Sequence, residues 1–234
     1  MNPVITTDQF LALSTAQIVA LSTAQTMSLT TDQIVALGTA QVAAMSTAQV
    51  AALETADLAA MSTAQVSKLT TAQAAALTTA QVVALGTAQA AALTSAQVAA
   101  LTSSQWGAME LVDLQALSTT AVAAIGTTQL PGLSTGQVAA LTTAQVAALT
   151  SHQFKSLTTS QLVGLSTAQV AAVKSSQVAS LSTVQLNALE TGDFALLSTA
   201  ALAGLTTAQL SSLGSTLMQA LTTTQAKALS TAQV

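Results

Sequence analysis

The chain repeats a unit of eight residues almost without interruption, and this repeat limits its possible folds more than any other feature. If the unit is lettered a to h, 28 complete octads run from Thr6 to Leu229 without an insertion. Position h is Leu, Met, Ile or Val, position e is mostly Val, Leu or Ile, position d is mostly Gln, and positions a and b are mostly Ser or Thr. Eight residues advance an α-helix by about 800°, so the leucines of one continuous helix would drift around its axis. A single long helix is therefore excluded.

A short helix that restarts in every octad fits the pattern. Ser, Thr or Gly at position a is a preferred N-cap, and Gln three residues later completes a capping box. Positions b to h then form about two turns, and glycine at position a, as in Gly38, is expected to close the preceding helix as well. Such helices are too short to be stable alone, so the residues at e and h must pack against neighbouring units. The sequence predicts an all-α solenoid, or superhelix, of two-turn helices, one per octad.

A β-solenoid is the alternative, because regularly spaced Thr and Gln could stack as ladders between coils. Its corners would need Gly, Asn, Asp or Pro, which are rare and irregular here, while Ala, Leu and Gln favour helix. We predict one octapeptide-repeat domain over residues 1–234. Its weakest repeats lie at 110–133, where Pro131 should disturb a short helix.

Composition and charge exclude several classes of protein. The net charge is −4, and the four lysines are scattered, so the sequence predicts no binding to nucleic acid. Cysteine is absent, which removes disulfides and thiolate chemistry. No apolar run approaches the roughly 18 residues of a transmembrane helix, and no signal peptide is visible after Met1.

The consensus unit LSTAQVAAL resembles octapeptide repeats in long tracts of large secreted or surface bacterial proteins, including adhesin-like and RTX-like ones. The resemblance implies a stalk, spacer or filament segment at an extracellular or cell-surface location. The unit is also similar to the first short helix of TAL-effector repeats. The rest of that longer repeat is missing, so DNA reading is not implied.

Three octads carry Glu at position a together with Asp at position d, and no Glu occurs without this partner. The pairs are Glu54 with Asp57, Glu110 with Asp113, and Glu190 with Asp193. Carboxylates are calcium ligands, but two of them supply too few oxygens, so a variant of the helix cap is the favoured interpretation. If the pairs, seven and ten octads apart, lay on one side, the coil would hold about 3.4 octads per turn.

The remaining distinctive side chains predict no site. His152, at position c, lacks converging partners and is expected to be exposed, whereas Trp106 and the phenylalanines at position e are expected in the core. We expect no catalytic residue and no cofactor.

The resulting hypothesis is a non-enzymatic structural repeat protein that associates with itself, head to tail or laterally. The alternative is a binding module that holds ice, another surface or a small ligand through its regular Thr and Ser residues. Capping does not explain the hydroxyl at position b, for which one option is a bond to a neighbouring helix end.

Overall fold

The computed structural model describes residue 10 and residues 12–233, so Met1 and the start of the Thr6 octad lie outside it. Within these residues the chain forms 26 short α-helices, one 3-10 helix and no strand. The prediction of an all-α repeat with one short helix per octad is confirmed. The β-solenoid alternative is wrong, because the octads form short capped helices and no strand occurs among the described residues.

The chain divides into two compact units, Met1–Leu117 and Ser118–Val234. The helices of the first unit are Thr15–Val19, Thr23–Met27, Thr31–Ala36, Thr39–Ala44, Thr47–Ala52, Thr55–Ala60, Thr63–Ser67, Thr71–Ala76, Thr79–Ala84, Thr87–Ala91, Ser95–Ala100, Ser103–Ala108 and Leu111–Ala116. Those of the second unit are Thr119–Val122, the 3-10 helix Leu130–Gly132, Thr135–Ala140, Thr143–Ala148, Ser151–Ser156, Thr159–Val163, Thr167–Ala171, Ser175–Ser180, Thr183–Asn187, Thr191–Leu196, Thr199–Leu202, Thr207–Ser211, Ser215–Ala220 and Thr223–Ala228. The prediction that residues 1–234 form one domain remains a prediction.

Each α-helix has its N-cap residue at position a and ends before position h, whereas the N-cap of the 3-10 helix is Gln129, at position d. In the octad that starts at Ser46, the Ser46 side chain accepts from the Gln49 N–H, and Leu53 is extended, with φ −61° and ψ 140°. The expectation that glycine at position a closes the preceding helix is wrong. No described residue has a positive φ, and Gly38 is an extended N-cap. Two successive extended residues, h and a, turn the chain between helices, so no left-handed residue is needed.

The core consists of positions e and h, joined by the aliphatic part of the residue at d. Val98 and Leu101, at e and h of the Thr94 octad, are buried, as are their equivalents in most octads. Within each unit, the main helix–helix contacts join octads that are three positions apart, such as Thr47–Ala52 with Thr71–Ala76. Each short helix is therefore stabilised by octads far from it in sequence, as its length requires.

The stretch at 110–133 contains two departures from the regular octad. The helix Thr119–Val122 has only four residues, and the octad that contains Pro131 forms the 3-10 helix Leu130–Gly132. Proline lacks a backbone N–H and clashes with the preceding turn, which explains the loss of the α-helix there. The boundary between the two compact units, after Leu117, falls in the same stretch.

Candidate functional site

The glutamine at position d makes two kinds of hydrogen bond at once. Gln97 Oε1 accepts from the backbone N–H of Thr94 at 2.8 Å, which completes the capping box. Gln97 Nε2 donates to the carbonyl oxygens of Val66 at 2.8 Å and Leu69 at 2.7 Å. These acceptors lie in the octad four positions earlier. A buried glutamine thus caps its own helix and ties it to the preceding turn of the coil.

This coil-to-coil tie recurs along both units. The distance from Nε2 to the carbonyl oxygen of position h, 28 residues earlier, stays between 2.6 and 2.9 Å. The glutamines that make it are Gln41, Gln49, Gln65, Gln73, Gln81, Gln89, Gln97, Gln105, Gln153, Gln161, Gln169, Gln177, Gln185, Gln209, Gln225 and Gln233. Helices pack against helices three octads away, and the ties reach the octad four positions earlier. Each unit therefore has between three and four octads per turn, and the value of about 3.4 expected from the spacing of the acidic pairs lies in this range.

The hydroxyl at position b does not bond to neighbouring helix ends, contrary to one option raised by the sequence. Among the described residues, no b hydroxyl donates to a carbonyl of another helix; the side-chain donor to carbonyls such as those of Leu69 and Leu77 is glutamine Nε2. Most b side chains are exposed, including Thr71 and Thr79. They form no enclosed polar site.

The acidic octads lack both the capping box and the tie. Glu54, Glu110 and Glu190 are N-caps whose side chains make no cap hydrogen bond. The aspartates at d lie in the first turn, as the favoured sequence interpretation requires. Carboxylate oxygens cannot donate as an amide does, so the carbonyls four octads earlier lose their side-chain donor at these points.

Two of the three aspartates are buried and face a b-position threonine three octads earlier. Asp57 Oδ1 accepts from Thr31 Oγ1 at 2.8 Å, and Asp57 is 3% exposed. Asp113 is 2% exposed, and its Oδ2 is buried without a hydrogen-bond partner. Asp193 is half-buried, and no threonine hydroxyl in the described part of the chain bonds to it.

Burial raises the pKa of Asp113 above its ordinary value of 3.8; a hydrogen bond from Thr87 opposes this shift, and the nearby charge of Glu110 adds to it. Burial also raises the pKa of Asp193, and Glu190 adds to that shift. The fold therefore favours the charged form of both carboxyl groups less than water does. For Asp113 a missing donor is visible directly, since its Oδ2 is buried without a hydrogen-bond partner.

The Asp113→Gln variant is expected to be more stable than the wild-type protein at pH 7, by an amount that shrinks as the pH falls. Above its raised folded pKa the buried carboxylate is charged and destabilises the fold. As the pH falls through that pKa toward 3.8, the folded state takes up the proton more readily, so the penalty disappears. Urea unfolding of both proteins between pH 7 and pH 4, in EDTA, measures the difference. A difference that does not change with pH would contradict the assignment.

The other residues that the sequence singled out are not part of a site. His152 is exposed, as predicted. Trp106, Phe154 and Phe194 are at most 1% exposed and belong to the core, so they are not platforms for a ligand. In the second unit, a small internal void is lined only by apolar side chains, among them Phe154, Leu162 and Val173. It offers no polar group to orient a ligand.

Comparison with protein families matches a repeat family over nearly the whole chain. The model of the ALTTAQ repeat matches residues 3–39, 28–55, 50–87, 75–103, 106–143, 130–159, 146–183 and 186–223. The chain belongs to the ALTTAQ repeat family. No curated protein matches it.

The letters of the ALTTAQ repeat correspond to positions g, h, a, b, c and d of the octad, for example Ala76 to Gln81. This segment contains the carbonyl at h that accepts a tie, the N-cap at a and the glutamine at d. The ALTTAQ signature therefore covers the groups that form the coil-to-coil tie.

Proposed function

We propose that the protein is a non-enzymatic structural array, a spacer or self-associating segment of a bacterial surface or exported protein. The coil-to-coil tie carries the proposal. Regular octads beyond the first turn of the coil, such as those of Gln81 and Gln97, present the same donor to equivalent carbonyls, so octads can be added or removed without loss of partners. Stability in such an array comes from local repeats and their nearest interfaces. Its length can therefore change while its fold is kept, which is what a spacer requires.

The surface of the array supports the same proposal. Positions a, b and c are mostly exposed Ser, Thr and Ala, and the four lysines are spread over the chain. No described helix exceeds six residues, or about 9 Å, so none could cross the roughly 30 Å core of a membrane. The proposal also includes self-association and a surface location, and the resemblance to secreted octapeptide tracts supports both.

Duplication of the segment from Thr78 to Leu101 tests the spacer function. These three octads are regular, and a second copy inserted after Leu101 leaves Glu110 and Asp113 with the same neighbours three and four octads earlier. We expect a melting temperature at least as high as that of the wild-type protein by circular dichroism, and a larger maximum dimension by small-angle scattering. Loss of cooperative unfolding, or a particle of unchanged size, would contradict a spacer.

Self-association is measured on the same samples by analytical ultracentrifugation and negative-stain microscopy. Filaments or concentration-dependent assemblies are expected. Dispersed monomers at high concentration would remove self-association and leave the spacer function alone. If the protein instead binds ice through its exposed hydroxyls, inhibition of ice recrystallisation should fall when Thr71 and Thr79 are replaced by lysine.

A further inference from the structure

Each regular octad contains a point where several backbone carbonyl oxygens converge. Gln105 Nε2 lies 2.9 Å from the carbonyl oxygen of Ala74, 3.3 Å from that of Ala75 and 2.7 Å from that of Leu77. The amide nitrogen fills this oxygen-lined position and supplies the hydrogen atoms it needs. Any side chain that replaces glutamine must satisfy the same three oxygens in another way.

In the next octad, Asp113 replaces the glutamine. The carbonyls that bind Gln105 lie 31, 30 and 28 residues before it. The same offsets from Asp113 lead to the carbonyls of Val82, Val83 and Leu85. The turn that carries them is regular, since Leu85 N–H donates to Val82 O at 3.3 Å, as Leu77 N–H does to Ala74 O. Aspartate is one methylene shorter than glutamine and carries no proton when ionised. By this register, the octad replaces an amide that donates to the carbonyls with a carboxylate that cannot donate to them.

A second observation marks the position as incomplete. Asp113 is 2% exposed, and its Oδ2 is buried without a hydrogen-bond partner. A buried carboxylate oxygen that accepts nothing is rare in folded proteins and demands a compensating group. Thr87 provides a hydroxyl next to Asp113, and Glu110 provides a second carboxylate close enough to interact with it. The two carboxylates, the threonine hydroxyl and the carbonyls of the earlier turn all carry oxygen atoms that can act as calcium ligands.

We propose that the octads with Glu at a and Asp at d bind a calcium ion in place of the glutamine amide. The ion would take Asp113, the threonine hydroxyl and the converging carbonyls as ligands, with Glu110 and water completing the shell. Calcium prefers six to eight oxygen ligands and accepts irregular geometry. No cluster of three or more acidic or histidine side chains occurs among the described residues, so backbone oxygens supply what two carboxylates lack.

The other two acidic octads differ in how deeply the aspartate is buried and in whether a threonine bonds to it. Asp57 is buried, and Thr31 Oγ1 lies 2.8 Å from its Oδ1, so the Glu54 octad should bind similarly. Asp193 is half-buried and has no threonine partner in the described chain, so its site should be the weakest. At least two calcium ions per chain are expected. This inference does not depend on the proposed spacer function.

The test is calorimetric titration of the full chain, freed of metal with EDTA, with CaCl2 at pH 7. The wild-type protein should bind at least two ions with a Kd on the order of 10⁻⁴–10⁻³ M. The melting temperature should rise by roughly 3–5 °C per site at ten times the Kd. MgCl2 at equal concentration should produce less than a third of that shift.

The Asp113→Gln variant removes the proposed Asp113 ligand and restores the glutamine amide at position d, while Glu110 and Leu111 stay in place. It should lose one bound ion, and the Asp57→Gln, Asp113→Gln double variant should lose two. Asp32→Asn is the matched control, because it removes an exposed first-turn carboxylate outside these octads. Equal calcium binding by the wild-type protein and the double variant would overturn the proposal. So would the absence of binding at 10 mM CaCl2, or an equal response to magnesium.

Discussion

Replacement of Gln97 by glutamate is expected to lower the free energy of unfolding by about 3–5 kcal/mol at neutral pH. Glutamate has the same shape and can still accept from the Thr94 N–H, so the cap is kept. It cannot donate to the carbonyls of Val66 and Leu69, which would face a buried negative oxygen instead. Urea unfolding followed by circular dichroism measures the loss. Part of the stability should return at low pH, where the carboxyl regains a proton.

Gln25→Glu is the matched control for this prediction. Gln25 is exposed and forms the same capping box with Ser22, and its Nε2 makes no hydrogen bond within the described chain. A negative charge in the first turn is mildly favourable, so this variant should change the free energy of unfolding by less than about 0.5 kcal/mol. Equal losses in the two variants would show that the tie to the preceding coil contributes nothing.

Replacement of Gly204 by alanine is expected to destabilise the second unit by about 2–3 kcal/mol. A Cβ atom at Gly204 would lie 2.7 Å from the carbonyl carbon of Ser175 and 2.8 Å from its Cα. Because these are backbone atoms, no side-chain rotation relieves the overlap. The close approach occurs in an octad with a shortened helix, in which Ala201 replaces the glutamine and the helix Thr199–Leu202 has four residues. Thermal unfolding and hydrogen exchange of the helix Ser175–Ser180 measure the effect.

Gly192→Ala serves as the control in the same unit. A Cβ at this position meets no atom within 4 Å, and the residue lies in the helix Thr191–Leu196. Alanine has the higher helix propensity, so this variant should be more stable by up to about 1 kcal/mol. If both variants were stabilised, the contact between Gly204 and Ser175 would not be a close one in solution.

The parts of the candidate site that lie within one octad could be predicted from the sequence. The cap at Ser46 and its partner Gln49 are three residues apart, and their geometry depends only on the local helical turn. The burial of Trp106 followed from its place at position e. The acidic pairs were recognised, but their surroundings were not, because the threonine that faces Asp57 lies 26 residues earlier.

By itself, the sequence determined the short capped helix, its length and its apolar face, since each depends on interactions within about eight residues. Only the tertiary structure decided which octads meet. Nearly identical octads can pair at many separations, and nothing in Gln97 itself distinguishes the octad of Leu69 from its neighbours. The number of octads per turn is fixed by the packing of side chains at e and h and by the extended residues between helices. That geometry determines which carbonyls each glutamine binds. It also determines the neighbours of Asp113, such as Thr87, which the sequence alone could not identify.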